Sequence, residues 1–482
     1  MSSLFQVKPL SRIVAEADAG EHHLKRTLGP LNLVALGIGA IIGAGLFSLT
    51  GISAADNAGP AVVFSFIIAA IACAFAGMCY SEFSTMIPIA GSAYTYAYAT
   101  MGELLAWIIG WDLVLEYAVG AATVSVSWSS YVVKLLHGFG IELPPNLTNC
   151  PWDTVPGLIN LPAVFIIFVV SILLMIGISE SAKVNAVIVV VKVCIVIIVI
   201  CIGYTYIKPE NYVPFIPENT GVFGEYGWSG IFRAAGVIFF AYIGFDAVST
   251  AAQEAKQPKR DMPIGIIGSL IICTILYVLF ARVLTGMVYY KTFKGDASPV
   301  ATVIAQFPSH ALQVAIVIGI IAGYTSVILV MLLGQSRVFY SMSRDGLLPS
   351  VFSEIHPKWQ TPYRCNLIFM FFVSLFSGFL PISKLGNMTS IGTLLAFVIV
   401  CIGVIVMRKT NPDAPRPYKT PFVPVVPILG VLVCFSMMYS LDIETWYRLV
   451  IWLAIGMAIY FGYSRSHSHL SRGELAGTTT RH

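Results

Sequence analysis

The stretch Gly37-Ile-Gly-Ala-Ile-Ile-Gly-Ala-Gly-Leu-Phe47 lies inside an apolar run, about 31–53, long enough to cross a bilayer. Glycine is a poor helix former, yet this run carries Gly37, Gly39, Gly43, Gly45 and Gly51. A helix broken at Gly43-Ala44-Gly45 exposes free carbonyls on one side and free amides on the other. Carbonyls suit an ammonium, and amides at the start of a half-helix suit a carboxylate. A free amino acid carries both groups. Glycines at such spacing also serve ordinary helix packing in membranes; a second break half a chain later favours the site. There, Phe239-Phe-Ala-Tyr-Ile-Gly-Phe-Asp-Ala247 places Gly244 and the carboxylate of Asp246 in mid-span. An unpaired charge at that depth costs about 2.5–3.5 kcal/mol on insertion scales. Interrupted segments at matching positions of two halves point to a site between opposed half-helices.

Other ionisable residues stand where apolar sequence should leave none. Lys192 lies in Val189-Val-Val-Lys-Val-Cys-Ile-Val-Ile-Ile-Val199, too central to snorkel to either interface. A lysine so placed can exchange a proton between states, which suits proton coupling. The alternative is a permanent ammonium that pins helix-one carbonyls as a structural bridge. Asp112 and Glu116 are four residues apart and share a helix face. Glu116 could pair with Lys192, hold a proton, or meet a cationic ligand side chain; Asp112 reads as wetted near an interface. Asp246 either caps the inner half-helix or faces a central cavity. Glu82 reads as an interfacial anchor. Gly323, Tyr324 and Ser326 fall level with the presumed site, as do Gly120, Ala121 and Thr123, and Ser390 and Thr393. A large Tyr324 in an apolar site favours small or neutral ligand side chains.

These residues must be held by membrane helices. The chain has 482 residues, of which 57% are hydrophobic and 11% charged, a balance that excludes a soluble domain of this length. A net charge of +4 is too small to argue for nucleic acid. Apolar runs fall at about 31–53, 60–86, 101–136, 158–178, 182–207, 228–252, 263–290, 311–340, 364–381, 386–407, 422–441 and 446–464, separated by Gly and Pro. Basic residues concentrate in the tails and in loops such as Glu254–Pro263 and Arg408–Lys419, which predicts both termini inside. Cys73, Cys79, Cys194, Cys201, Cys273, Cys401 and Cys434 read as small core residues, and Cys150 and Cys365 as loop thiols, with partnering of Cys150 to another chain left open. No nucleophile–base arrangement, metal spacing or phosphate loop appears, so an enzyme and ATP drive are disfavoured.

From about Thr27 to Thr420 the chain resembles the amino acid–polyamine–organocation superfamily. The likeness rests on Gly37–Phe47 and on three strings similar to its cationic amino acid transporter family: Ala90-Gly-Ser-Ala-Tyr-Thr-Tyr96, Phe240-Ala-Tyr-Ile-Gly-Phe-Asp-Ala247 and Met342-Ser-Arg-Asp-Gly-Leu-Leu-Pro349. The resemblance implies an all-α membrane protein with twelve transmembrane helices. These would form a LeuT-like 5+5 inverted repeat with helices one and six broken, plus two C-terminal helices. The divisions would be a cytoplasmic tail 1–30, repeats 31–207 and 228–407, two further helices in 422–464, and a cytoplasmic tail 465–482.

It further implies that the ligand amine meets carbonyls of Ile41, Phe240, Ala241 and Ile243, and the carboxylate meets amides of Gly43, Ala44 and Gly45. Phe240 would be a lid or a packed aromatic. Lys192 would stand where sodium-coupled relatives hold an ion, with Thr325 and Ser326 as the vestigial ligands, and Glu116 and Asp246 would share in proton handling. The expected activity is secondary uptake of small neutral or cationic L-amino acids, coupled to a proton by alternating access. An uncoupled exchanger and a non-transporting sensor are the alternatives. The expectation includes no cofactor, no metal, surrounding membrane lipid and a plasma-membrane location (the inner membrane in a bacterium), with a small accessory subunit left open.

Overall fold

A chain in a bilayer must satisfy its backbone groups internally, and the described residues form helices with no strand among them. The computed structural model describes residues 6–8, 28–87, 92–153, 155–177, 182–250, 252 and 255–472. Most of the expected N-terminal tail, the end of the C-terminal tail and the start of the Ala90–Tyr96 string lie outside these.

Helix occupies each of the apolar runs. We label the principal segments α1 (Pro30–Ile41), α2 (Val62–Met86), α3 (Glu103–Gly138), α4 (Leu161–Met175), α5 (Ala182–Tyr204), α6 (Gly227–Ile238), α7 (Pro258–Met287), α8 (His310–Arg344), α9 (Tyr363–Phe379), α10 (Ile382–Thr410), α11 (Val425–Ser440) and α12 (Ile443–Ile459). Among the described residues, seven helices are long and apolar enough to cross a membrane, and α1, α4, α9 and α11 are shorter apolar helices. Helix α7 packs along α1 and α2, α3 along α8, and α5 against α1, α7 and α8. That arrangement lets a side chain of α5 reach the first break.

Both expected breaks are present. After Ile41 the chain turns extended at Ile42 (ψ 104°) and resumes as a π-helical turn, Gly45–Leu49, followed by Thr50–Ser53. After Ile238 it tightens into a 3-10 turn, Phe239–Tyr242, passes Gly244 at φ 116°, and resumes briefly at Ala247–Thr250. A third irregularity, the π-helical turn Leu115–Val119 inside α3, carries Glu116 and Tyr117; such turns mark functional sites more often than ordinary helix does.

Asp345, at the end of α8, draws the described parts of both chain ends to one face. It accepts from Lys8 Nζ at 2.8 Å and from the Tyr94 hydroxyl at 2.7 Å, and its carbonyl accepts from the His469 amide. The Met342–Pro349 string is the expected helix end. Gly346 turns at φ 80° and the Leu347 amide returns to the Met342 carbonyl.

Two readings need correction. Glu82 is no interfacial anchor: it is fully buried, accepting from Arg408 Nε and Nη2 at 2.9 and 2.8 Å and from the Thr420 amide at 2.8 Å. It thereby ties α2 to the end of α10. Cys150 lies in a loop as expected, though buried, whereas Cys365 falls inside α9 and is not a loop thiol; Cys194 and Cys201, expected in the core, lie exposed on α5, and all nine cysteines are free thiols.

Candidate functional site

The two breaks touch each other, and glycine is what permits it. A Cβ at Gly45 would lie 2.2 Å from Ala241 Cα, and one at Gly244 would lie 2.8 Å from the Ala40 carbonyl group. Each interrupted segment thus presents a bare glycine to the backbone of the other. Gly244 also needs its left-handed φ, which a side chain disfavours. Amides of Gly43, Ala44 and Gly45 open the half-helix that follows the break, where no preceding turn supplies acceptors. Carbonyls of the last turn of α1 point the other way.

Two of the expected carbonyls converge on one hydroxyl. Tyr277 of α7 places its hydroxyl 2.9 Å from both the Ile41 and the Ala241 carbonyl oxygens. With one proton it donates to only one of them at a time. The Phe240 carbonyl accepts from the Ile243 amide at 3.3 Å, and Phe240 itself is buried over the turn.

Lys192 reaches α1 from α5. Its Nζ donates to the Gly39 carbonyl at 2.8 Å, its side chain is 1% exposed, and its stem rests in the notch left by Gly323. It does not pair with Glu116. The Glu116 carboxyl, fully buried, faces Asp246 and Thr393 instead, and none of the described groups meets it at hydrogen-bond geometry. Asp246 accepts from the Tyr117 hydroxyl at 3.2 Å and immediately precedes the short helix Ala247–Thr250, whose Ser249 amide donates to its main-chain carbonyl. Asp112 is buried rather than wetted, its Oδ1 3.2 Å from where a Cβ at Gly392 would stand.

A sequence profile of the family described as Amino acid permease matches residues 28–460. The chain belongs to the amino acid permease family. This permease is therefore a membrane transporter, within the amino acid–polyamine–organocation superfamily, and not an enzyme. It is 46% identical, over 98% of its length and 99% of the relative's, to a branched-chain amino acid permease of Bacillus subtilis (strain 168). A methylthioribose transporter of the same organism is 44% identical over 98% of this chain and 100% of its own. Cationic amino acid transporter 4, vacuolar, of Arabidopsis thaliana is 35% identical over 86% of this chain and 68% of the relative.

Within the permease, Tyr324 sits further along helix one than the break. Its hydroxyl is 2.9 Å from Ser48 Oγ, and its ring packs on Phe47 and Tyr131. Opposite Gly43 stands Val327, and opposite Gly120 stands Met331, with Thr389 beside it. Thr325 turns away from Lys192 to accept from the Trp128 indole at 3.1 Å. Ser390 donates to the Val237 carbonyl just before the second break, at 3.3 Å.

Sequence reasoning missed Tyr277, Val327 and Met331. All three stand in ordinary apolar helix, where no local pattern separates them from core. Tyr277 carries the first testable consequence. Tyr277→Phe is expected to retain fold and family-typical expression but to change ligand affinity by roughly tenfold, the range of a hydrogen bond lost from a buried acceptor. Affinity read by ligand-induced thermal shift checks it; an unchanged value places Tyr277 outside the site.

Proposed function

We propose that this permease takes up L-amino acids with neutral, apolar side chains, driven by a proton, through alternating access. The observation that carries the reading is the mutual contact of the two breaks, with carbonyls of Ile41 and Ala241 gathered at one point and open amides at Gly43, Ala44 and Gly45. An ammonium satisfies the first set and a carboxylate the second. In this reading the amine also takes the Phe240 and Ile243 carbonyls, and the scaffold is a LeuT-like pair of inverted five-helix repeats followed by α11 and α12. Both termini lie in the cytoplasm, on the face where the basic loops fall.

Side-chain selectivity favours the neutral class over the cationic one. Val327 and Met331 stand opposite Gly43 and Gly120, and apolar walls there suit an aliphatic side chain better than a guanidinium. The naming of two bacterial relatives as branched-chain amino acid permeases agrees with this preference.

Coupling is assigned to Lys192, with Glu116 and Asp246 as a second proton-handling pair. Lys192 on the Gly39 carbonyl stands in for the sodium ion of other coupled carriers. When charged, it holds the inner half of helix one; when neutral, it lets that half swing.

Purified protein in proteoliposomes tests the whole reading. Radiolabelled leucine is expected to accumulate against its gradient when the lumen is alkaline, with arginine at least tenfold less effective. Exchange without any response to the pH gradient would instead make it an uncoupled exchanger. Uptake of methylthioribose, a sugar with neither ammonium nor carboxylate, together with no amino acid uptake, would overturn the zwitterion site.

A further inference from the structure

The face opposite the chain ends carries a closure of its own. The connector between α7 and α8 holds a 3-10 turn, Tyr290–Phe293, and a short helix, Pro299–Ile304. It lies directly on the outer half of helix one. A Cβ at Gly51 would sit 2.5 Å from the Pro299 Cβ and 3.3 Å from the Phe293 Cβ.

Lys134, near the outer end of α3, reaches across to this connector. Its Nζ donates to Asp296 at 2.9 and 3.2 Å, to the Ser298 carbonyl at 3.2 Å and to Thr302 Oγ1 at 2.8 Å. Asp296 is already fixed within the connector by the Ser298 amide at 2.9 Å and the Thr302 hydroxyl at 2.6 Å. Its carboxyl is half the latch and comes preorganised. One turn below Lys134, the Tyr131 hydroxyl donates to the Phe47 carbonyl of helix one at 2.6 Å. Opening a path from this face to the breaks must part α3 from helix one and its covering connector.

We propose that Lys134 is the latch of the outer gate, clasping the Asp296–Thr302 connector over helix one while that face is closed. An isolated exposed ion pair would be worth little. Here one ammonium meets three groups of a preordered loop, so its loss changes how often the loop lifts, not only a surface charge. Burial alone would raise the Asp296 carboxyl, but the Lys134 ammonium and the hydrogen bonds from Thr302 and Ser298 outweigh it and hold the group below its usual range. The latch contribution is therefore present above the ordinary carboxylate range and is lost only as pH falls through that lowered value. It stays shut across neutral and mildly acidic pH, where proton coupling operates.

The proposal rests on alternating access, and its test reads accessibility without transport. Ser53 is fully buried on helix one and its hydroxyl has no partner among the described residues, so S53C is a gentle reporter. A membrane-impermeant maleimide added from the far side should modify S53C about tenfold faster in Lys134→Gln, the shift that losing a charge-assisted contact produces. Asp296→Asn should act in the same direction, and Lys134→Arg, which keeps the charge, should stay near the parent rate. Transport by Lys134→Gln should keep its pH profile. Equal labelling in the parent, Lys134→Gln and Asp296→Asn, each eluting as a single folded species, overturns the latch and leaves alternating access standing.

Discussion

Lys192→Met is expected to uncouple uptake from the proton gradient. Accumulation under an alkaline lumen should fall by more than about tenfold, to the level seen without a gradient, because no other group replaces the ammonium at the Gly39 carbonyl. Uptake down a substrate gradient should persist at any pH. The geometry motivates this directly: the Nζ–carbonyl distance is 2.8 Å, Lys192 is buried, and the contact ties α5 to α1. A purely structural bridge predicts something else. The variant would then lose thermal stability and all transport together, or transport with an unaltered pH profile. The decisive measurement is uptake across a series of imposed pH gradients, set beside a melting curve of the same sample.

Much of this site was legible in the sequence because glycine and charge are costly inside a membrane. Gly43-Ala-Gly45 and Gly244 mark the breaks, and Lys192, Glu116 and Asp246 stand out against apolar neighbours. The helices were legible for the same reason: a run of apolar residues with Gly or Pro at its ends has few other solutions in lipid. What stayed hidden depends on rotation about helix axes. Tyr277 looks like any aromatic of an apolar helix until its hydroxyl is seen between two carbonyls. Tyr324 was placed level with the break, but the register of α8 sets Val327 there and sends Tyr324 on to Ser48. On sequence grounds Glu116 was free to pair with Lys192, hold a proton or meet a cationic ligand; it sits in the π-helical turn Leu115–Val119 near Asp246, and Lys192 binds the Gly39 carbonyl instead. Glu82 looked like an interfacial anchor since its partners, Arg408 and the Thr420 amide, lie more than three hundred residues away in the chain.

Gly45→Ala should weaken ligand binding by roughly ten- to a hundredfold, a stronger effect than Gly43→Ala. The coordinates separate the two glycines. At Gly43 a Cβ would lie 3.5 Å from a Val327 methyl, an ordinary contact, so Gly43→Ala fits and should hold affinity within a few-fold, with valine pressing on Val327. At Gly45 the added carbon would be 2.2 Å from Ala241 Cα and 2.5 Å from its amide nitrogen, and backbone cannot rotate away. The breaks must part, and the Ile41 and Ala241 carbonyls lose their common focus at Tyr277. Overpacking of this kind costs about 1–3 kcal/mol, and all of it falls on the conformation that binds, so affinity should drop by roughly ten- to a hundredfold. Isothermal titration with leucine on both variants decides the matter. Parent-like affinity in Gly45→Ala would mean that the ligand is held somewhere other than between the two broken helices.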